Sequence, residues 1–261
     1  MLEIKNLTIQ YGEKPPVVED FSLSLKKGEI IAIVGESGSG KSTVLSSILG
    51  LLPNTGKIIS GDIIYNGESM LKNTLSQWRE LRGTEITMIS QDSGGTLNPI
   101  RKIGKQFVEY IQTHSKMSTK EAEEKAKDMF SKVNLPDPEI IMKSYPHQLS
   151  GGMKQRVGIA MALTFHPKII LADEPTSALD VITQAQIVKE IMELRKAFDT
   201  SIIMVTHNLG VAAYISDKII VMQNGKIADA GDKNKIINNP KSDYTKKLLA
   251  AVPEIGGERL V

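Results

Sequence analysis

The sequence predicts an α/β fold: a parallel sheet with flanking helices, an antiparallel strand region near the N-terminus and a helical insertion. Three observations carry this prediction. Short apolar runs of strand length recur at Ile30–Val34, Ile169–Ala172 and Ser201–Val205, as in a sheet buried on both faces. The first run empties into Gly35-Glu36-Ser37-Gly38-Ser39-Gly40-Lys41-Ser42-Thr43, which fits the phosphate-binding pattern GxxxxGK[ST] without a mismatch. Between Asn98-Pro99 and Tyr145-Pro146 the text turns helical, opening on the capping-box pattern Ser118-Thr119-Lys120-Glu121.

Taken in order, Leu2 to Tyr11 reads as a strand whose buried face is Leu2, Ile4, Leu7 and Ile9. A turn with Gly12, Pro15 and Pro16 follows and leaves Tyr11 exposed, its ring free to pack or to stack on a base. Phe21–Leu25 alternates strictly as a second strand, ended by Lys26-Lys27-Gly28. After the glycine loop, good helix formers run from Val44 to Leu52. Gly35, Gly38 and Gly40 allow the loop to turn its N–H groups onto an anion, and the next helix adds the positive end of its dipole. Such a cradle suits a nucleoside triphosphate. Lys41 then reaches the β- and γ-phosphates, and the Ser42 hydroxyl ligates Mg²⁺.

Ile58, Ile59, Ile63, Ile64 and Tyr65, closed by Asn66-Gly67, suggest a further antiparallel strand pair. Glu85–Ser90 is a short strand that delivers Gln91 to the loop at its end. In the insertion, Ala122, Ala126, Met129, Phe130 and Val133 share one helix face and form core. Leu149-Ser150-Gly151-Gly152-Met153-Lys154-Gln155-Arg156 opens a helix running to about Thr164 with Ser150 as N-cap. Paired glycines there mark either an ordinary cap or a close approach to an anion. The strand from Ile169 ends in Asp173-Glu174, carboxylates placed where open α/β sheets bind ligands. Val181–Phe198 is an amphipathic helix, and His207 follows the Ser201–Val205 strand at a position suited to a site role. Lys218–Met222, Asn224-Gly225 and Lys226–Ala230 form a hairpin, and the tail from Lys241 holds one short helix and a loose end.

Composition narrows the function classes. Hydrophobic residues at 41% and charged residues at 24% are ordinary for a soluble globular chain of 261 residues. A net charge of +2 is too balanced to argue for a nucleic acid or membrane surface. No apolar run approaches the roughly twenty residues of a membrane helix. The N-terminus lacks the basic and apolar regions of a signal peptide, so the cytoplasm is the expected compartment. With no cysteine, this chain holds no disulfide, thiolate zinc site or iron–sulfur cluster.

Together these motifs resemble the ATP-binding cassette ATPases over nearly the whole chain. LSGGMKQR at 149–156 is the most diagnostic piece, and IILADEPTSALD at 169–180 and His207 follow in the family's order. The resemblance implies a P-loop NTPase fold of ABC-ATPase type. Its parts are a RecA-like core with an antiparallel β region (about 1–91 and 158–240), a helical subdomain (about 92–157) and a short tail (241–261). It further implies that Tyr11 stacks on adenine and that Gly35 to Thr43 holds the phosphates of ATP. Gln91 and Asp173 arrange Mg²⁺ and its waters with Ser42 as a direct ligand, Glu174 polarises the attacking water, and His207 contacts the γ-phosphate. Ser150, Gly151 and Gly152 face the nucleotide of a second chain, and Asp180 reports across that dimer.

Within the superfamily, Ser90-Gln91-Asp92 with Leu97-Asn98-Pro99, the run YPHQLSGGMKQRVGIAMAL, the phrase ADEPTSALDVITQAQI and Ala251-Val252-Pro253 look like the peptide and nickel importers. That likeness implies a homodimer, or a heterodimer with a homologous ATPase, at the cytoplasmic face of the membrane beneath separate permease subunits. A substrate-binding protein supplies the cargo, and nucleic acid is no partner. Two departures stand out: Ser93-Gly94-Gly95 replaces the proline usual after the Gln-Asp pair, and Asn208 follows His207 where aspartate is common. The longer peptide-transporting members often add a cysteine cluster, which this chain lacks. The alternative is a soluble cassette ATPase acting on DNA or ribosomes, but the tandem cassettes or long coiled-coil insertion usual there are not seen. A non-hydrolysing scaffold is disfavoured by the joint presence of Lys41, Gln91, Asp173, Glu174 and His207.

Overall fold

The computed structural model describes residues 1–177, 179–252, 254–255 and 258–259. The chain divides into two compact units, residues 1–78 with 201–261, and residues 79–200. It opens with β1 (Leu2–Tyr11), β2 (Val18–Leu25), β3 (Ile30–Val34), α1 (Lys41–Ile48), β4 (Gly56–Tyr65), β5 (Glu68–Ser69) and α2 (Leu75–Leu81). β1 lies antiparallel between β2 and β4. Its apolar residues change phase between Ile4 and Leu7, and the register shifts at the same place. Asn6 takes up the extra residue in the left-handed region (φ 46°) and donates a side-chain hydrogen bond to Asp20 at 2.6 Å. Gly61 on β4 lies opposite, where a Cβ would stand 2.5 Å from the carbonyls of Lys5 and Asn6. The bulge keeps all four apolar side chains buried on one face.

The structure departs from two local expectations. The Gly56–Asn66 stretch is one long strand whose main partner is β1, and the Asn66-Gly67 turn leads only into the two-residue β5. The helix after the glycine loop stops at Ile48 instead of reaching Leu52. Gly50 adopts φ 60°, and the N–H groups of Gly50 and Leu51 return to the carbonyls of Ser47 and Ser46, closing the helix in a Schellman motif.

The second unit runs through β6 (Ile86–Ile89), α3 (Ser93–Thr96), α4 (Ile103–His114), α5 (Thr119–Lys132), α6 (Pro138–Lys143), α7 (Gly151–Leu163), β7 (Ile169–Asp173) and α8 (Val181–Phe198). β6 and β7 pair in parallel. Ser118 and Glu121 form the reciprocal capping box expected at the start of α5. Ala122, Ala126, Met129, Phe130 and Val133 are buried as the helical periodicity required. Phe107 packs on Phe130 with ring centroids 5.2 Å apart. The ring of His114 covers Gly83, lies 5.1 Å from Tyr110 and meets Phe165 edge-on, while Tyr110 Oη donates to the Gly83 carbonyl at 3.0 Å. Burial in this cluster pushes the Tyr110 hydroxyl up to about 12.

The first unit resumes with β8 (Ser201–Thr206), α9 (Leu209–Ile215), β9 (Lys218–Gln223), β10 (Lys226–Asp232), α10 (Lys233–Asn238) and α11 (Asp243–Ala250). β3 is buried along its whole length, parallel to β8 on one side and to β9 on the other. The Asn224-Gly225 hairpin joins β9 and β10 as expected. The tail contains its expected helix, α11, after which Glu254–Ile255 (β11) pairs with Glu258–Arg259 (β12). Pro253 of the Ala251-Val252-Pro253 phrase, Ala178 and residues 260–261 lie outside the described residues.

Burial lowers the pKa of His114 and His166, and the cations Lys125 and Lys132 add to the effect at His166. The unfolded chain therefore binds more protons than the folded one just below the ordinary histidine value of about 6.5. Stability from this source is complete above that value and is lost as pH falls through the two lowered pKa values. The expected outcome is a melting temperature that drops between about pH 7.5 and pH 5.5, with a smaller drop in the His114→Gln, His166→Gln double variant.

Candidate functional site

The glycine loop leaves β3 where its backbone passes the neighbouring strand too closely for a side chain. A Cβ on Gly35 would collide with the Met222 carbonyl on β9. Gly40 caps α1 with φ 98°, and a Cβ there would stand 2.8 Å from the Val17 carbonyl; Gly38 has φ 80°. Lys41 is buried, and its Nζ donates to the carbonyls of Gly35 at 2.8 Å and Glu36 at 2.7 Å. Ser37, Gly38 and Ser42 are exposed, Ser39 is buried, and Thr43 is half-buried. No acidic residue occupies the first turn of α1, so nothing there offsets the positive end of its dipole.

Tyr11 is half-buried rather than exposed. Its ring lies on Gly56, and its hydroxyl is 3.4 Å from Thr43 Oγ1. His207 follows Thr206, which stands in register with Val34, so the histidine and the glycine loop leave adjacent parallel strands at the same end. Asn208 caps α9 by accepting from the Val211 N–H at 3.1 Å, the service an aspartate would give, so this departure from the family pattern is structurally neutral.

In the second unit, Ile89 pairs with Ala172, so Gln91 and Asp173-Glu174 emerge at one end of β6 and β7. Gln91 is exposed; Asp173 and Glu174 are half-buried. Glu174 adopts φ 44°, a left-handed backbone that a glutamate holds at a cost of about 1 kcal/mol or more. Its carbonyl accepts from both the N–H and the hydroxyl of Ser177, each at 3.2 Å, which fixes the turn. Ser150 caps α7 as expected. Ser150 and Gly151 are exposed at the helix tip, while Gly152 is buried where a Cβ would stand 2.8 Å from Thr183 Cγ2. Asp180 caps α8 through the N–H and hydroxyl of Thr183, and these hydrogen bonds hold its carboxyl below the usual aspartate range. Thus the loop, Tyr11 and His207 belong to the first unit, and Gln91, Asp173, Glu174, the Ser150–Gly152 tip and Asp180 to the second.

Further residues in the second unit escape the motif reading. Gln155, buried in α7, donates to the Ser90 carbonyl at 3.4 Å and so ties that helix to the segment bearing Gln91. Ser93 is seated on Gly158 of α7. Arg156 makes a two-pronged ion pair with Glu190 of α8, at 2.8 and 3.1 Å. A glycine in a helix interior was the available signal for Gly158, since it costs about 1 kcal/mol relative to alanine.

The ABC transporter family profile matches residues 18–177. The chain belongs to the ABC transporter family. It is 44% identical over 259 residues to the dipeptide transport ATP-binding protein DppD of Bacillus subtilis, an alignment covering 98% of this chain and 77% of that protein. It is 41% identical to the metal-staphylopine import system ATP-binding protein CntD of Staphylococcus aureus, with coverage of 98% and 94%. Among solved structures, the dimeric ABC transporter cassette MJ0796 superposes with a TM-score of 0.78 at 30% identity, covering 89% of this chain and 99% of that one. The same cassette in a dimeric post-hydrolysis state bound to ADP and Pi gives 0.77. The ABC-ATPase fold expected from the motifs is therefore present, and this member of the family is an ATP-binding ATPase of the importer type. These relatives give the DNA- or ribosome-acting alternative no support. No helix among the described residues is long and apolar enough to cross a membrane.

The seat of Ser93 on Gly158 leaves no room for a methyl group: a Cβ on Gly158 would lie 2.7 Å from Ser93 Cβ. Gly158→Ala is expected to destabilise by about 1–3 kcal/mol and lower the melting temperature by roughly 3–10 °C. Ser93→Gly in the same chain restores part of the loss, as a thermal melt would show.

Proposed function

We propose that this chain hydrolyses ATP as one of two cassettes beneath the permease subunits of an importer for peptides or metal chelates. The observation that carries this reading is the glycine loop: a buried lysine at the root of a backbone turn in which Gly35 and Gly40 admit no side chain, at the positive end of a helix. Phosphoryl transfer through a loose transition state demands position and positive charge above all. Lys41 supplies that charge to the β- and γ-phosphates. The loop between Gly35 and Thr43 shares the remaining negative charge through the N–H groups of Ser37, Gly38, Gly40, Lys41, Ser42 and Thr43, while that of Glu36 is held by Tyr244 and that of Ser39 turns to the Glu36 carbonyl. His207 donates to the γ-phosphate, and Tyr11 stacks on the adenine.

Glu174 accepts a proton from the attacking water as its oxygen bonds to the γ-phosphorus and the bond to the β–γ bridging oxygen breaks, releasing ADP and phosphate, and the turn at Ser177 fixes the backbone from which the carboxylate projects. Ser42 and Asp173, with the amide oxygen of Gln91, offer the hard oxygen donors that suit Mg²⁺, an ion that relies on substrate phosphates and few protein ligands. When bound there, Mg²⁺ would supply positive charge to offset that of the phosphates. The exposed Ser150–Gly151 tip is available to the nucleotide of a second copy or of a homologous partner chain, and Asp180 lies in the segment that would meet it. ATP closes such a pair and hydrolysis reopens it, which couples turnover to the permeases. The chain then sits peripherally on the cytoplasmic face of the membrane. Peptide or metal-chelate cargo is inferred from the relatives, DppD serving dipeptide transport and CntD metal-staphylopine import. The permease and the binding protein select the cargo.

Glu174→Gln preserves side-chain shape and removes the proton acceptor. ATP turnover is expected to fall by about a hundredfold or more while nucleotide binding stays intact; turnover at the wild-type rate would refute Glu174 as the base. Uptake of labelled dipeptide against uptake of nickel or a nickel chelate by the reconstituted importer decides between the two cargo classes.

A further inference from the structure

The peptide unit joining Gly35 to Glu36 is held at both of its polar ends. Its carbonyl, that of Gly35, accepts from Lys41 Nζ at 2.8 Å. Its N–H, that of Glu36, donates to the hydroxyl of Tyr244 at 3.0 Å. Carbonyl and N–H of a trans peptide point in opposite directions, so these two bonds grip one rigid plate from both sides. Tyr244 is on α11, more than two hundred residues along the chain from the loop. Only a firmly placed helix could serve a loop in this way, and α11 is firmly placed.

Its N-terminal approach is bracketed by Asp229, a buried carboxylate on β10, which accepts from the N–H groups of Lys241 at 2.7 Å and Ser242 at 3.2 Å. Ser242 in turn caps α11 by accepting from the Tyr244 N–H. Tyr244 is 9% exposed and packs in a cluster with Ala32 and Val34 of β3, Leu209 of α9 and Leu249. That packing leaves the hydroxyl one direction, toward the loop. Burying a tyrosine hydroxyl is unfavourable without a partner, so the bond to Glu36 also satisfies the tyrosine.

We infer that Tyr244 is a positioning residue for nucleotide binding: it locks the Gly35–Glu36 peptide, keeps the Gly35 carbonyl aimed at Lys41, and so places the Lys41 ammonium for the phosphates. Without the hydroxyl, the peptide is free to rotate about the bonds flanking it, and a glycine on one side makes that rotation easy. Lys41 then loses one of the two carbonyls that hold it. The C-terminal helix becomes part of the machinery that sets ATP affinity, through Asp229, Tyr244 and one peptide bond. This inference rests on the reading of Gly35–Thr43 as the ATP loop.

Tyr244→Phe removes only the hydroxyl and keeps the ring in its apolar cluster. The expected result, measured on the full chain by titration with a fluorescent ATP analogue, is a Kd raised about fivefold, the worth of one neutral hydrogen bond. KM for ATP rises by a similar factor while kcat changes less than about twofold, because the Lys41 ammonium stays in the loop on the Glu36 carbonyl and what is lost is the ordering of the empty site. Asp229→Asn, which weakens the bracket but leaves the hydroxyl, moves Kd the same way by a smaller factor. An unchanged Kd and KM in Tyr244→Phe, with or without a lower melting temperature, overturns the inference and assigns the tyrosine to packing alone. A wild-type chain that fails to bind the analogue overturns the ATP-loop reading itself, which separates the two failures.

Discussion

Gly35 leaves β3 against the Met222 carbonyl so closely that hydrogen is the largest substituent the backbone admits. That crowding follows from the parallel pairing of β3 with β8 and β9, which buries every residue of β3 and sets its neighbours at strand spacing. From it follow the bare backbone of the loop, the buried course of Lys41 and the side-by-side exit of His207. A wider sheet spacing or a bulkier residue would open the loop and free the lysine to point elsewhere. Much of the first unit's remaining polar chemistry serves the same end: Asn208 starts α9 beside the loop, Gly50 stops α1 after it, and Tyr11 presses on Gly56 and Thr43.

The second unit solves a different problem. Its helices must hold a short segment, Gln91 to Thr96, that has only one turn of helix of its own. Gln155 binds the Ser90 carbonyl, and Ser93 fills the notch over Gly158, so α7 supports that segment along its length. The same helix presents Ser150 and Gly151 at its tip and reaches α8 through the Arg156–Glu190 pair. One rigid rod therefore carries both the tip and the support beneath Gln91, and a displacement at either is felt at the other within this unit.

Much of this was legible in the sequence, for reasons that differ from place to place. Apolar periodicity and turn dipeptides located β1, β2, β3, the β9–β10 hairpin and α8, because each rests on a short-range pattern that the chain cannot express another way. β4 was misread as a pair since a glycine between isoleucines, Gly61, serves equally as a turn or as a bulge, and the choice is made by the β1 strand beside it. The end of α1 was overrun because Gly50 lies inside a run of leucines that hides a helix stop. α9 carries no polar face to signal a helix, four of its seven residues being buried. Tyr244 had no local mark at all: its partner is an N–H at the other end of the chain.

The backbone at Glu174 is bent into a shape that glycine or asparagine would hold with less strain. A laboratory selecting only for heat tolerance, blind to turnover, would thus be drawn to replace this carboxylate, and on the role proposed for Glu174 would be rewarded with a sturdier and inert protein. On that proposed role, robustness and chemistry pull in opposite directions at this one position.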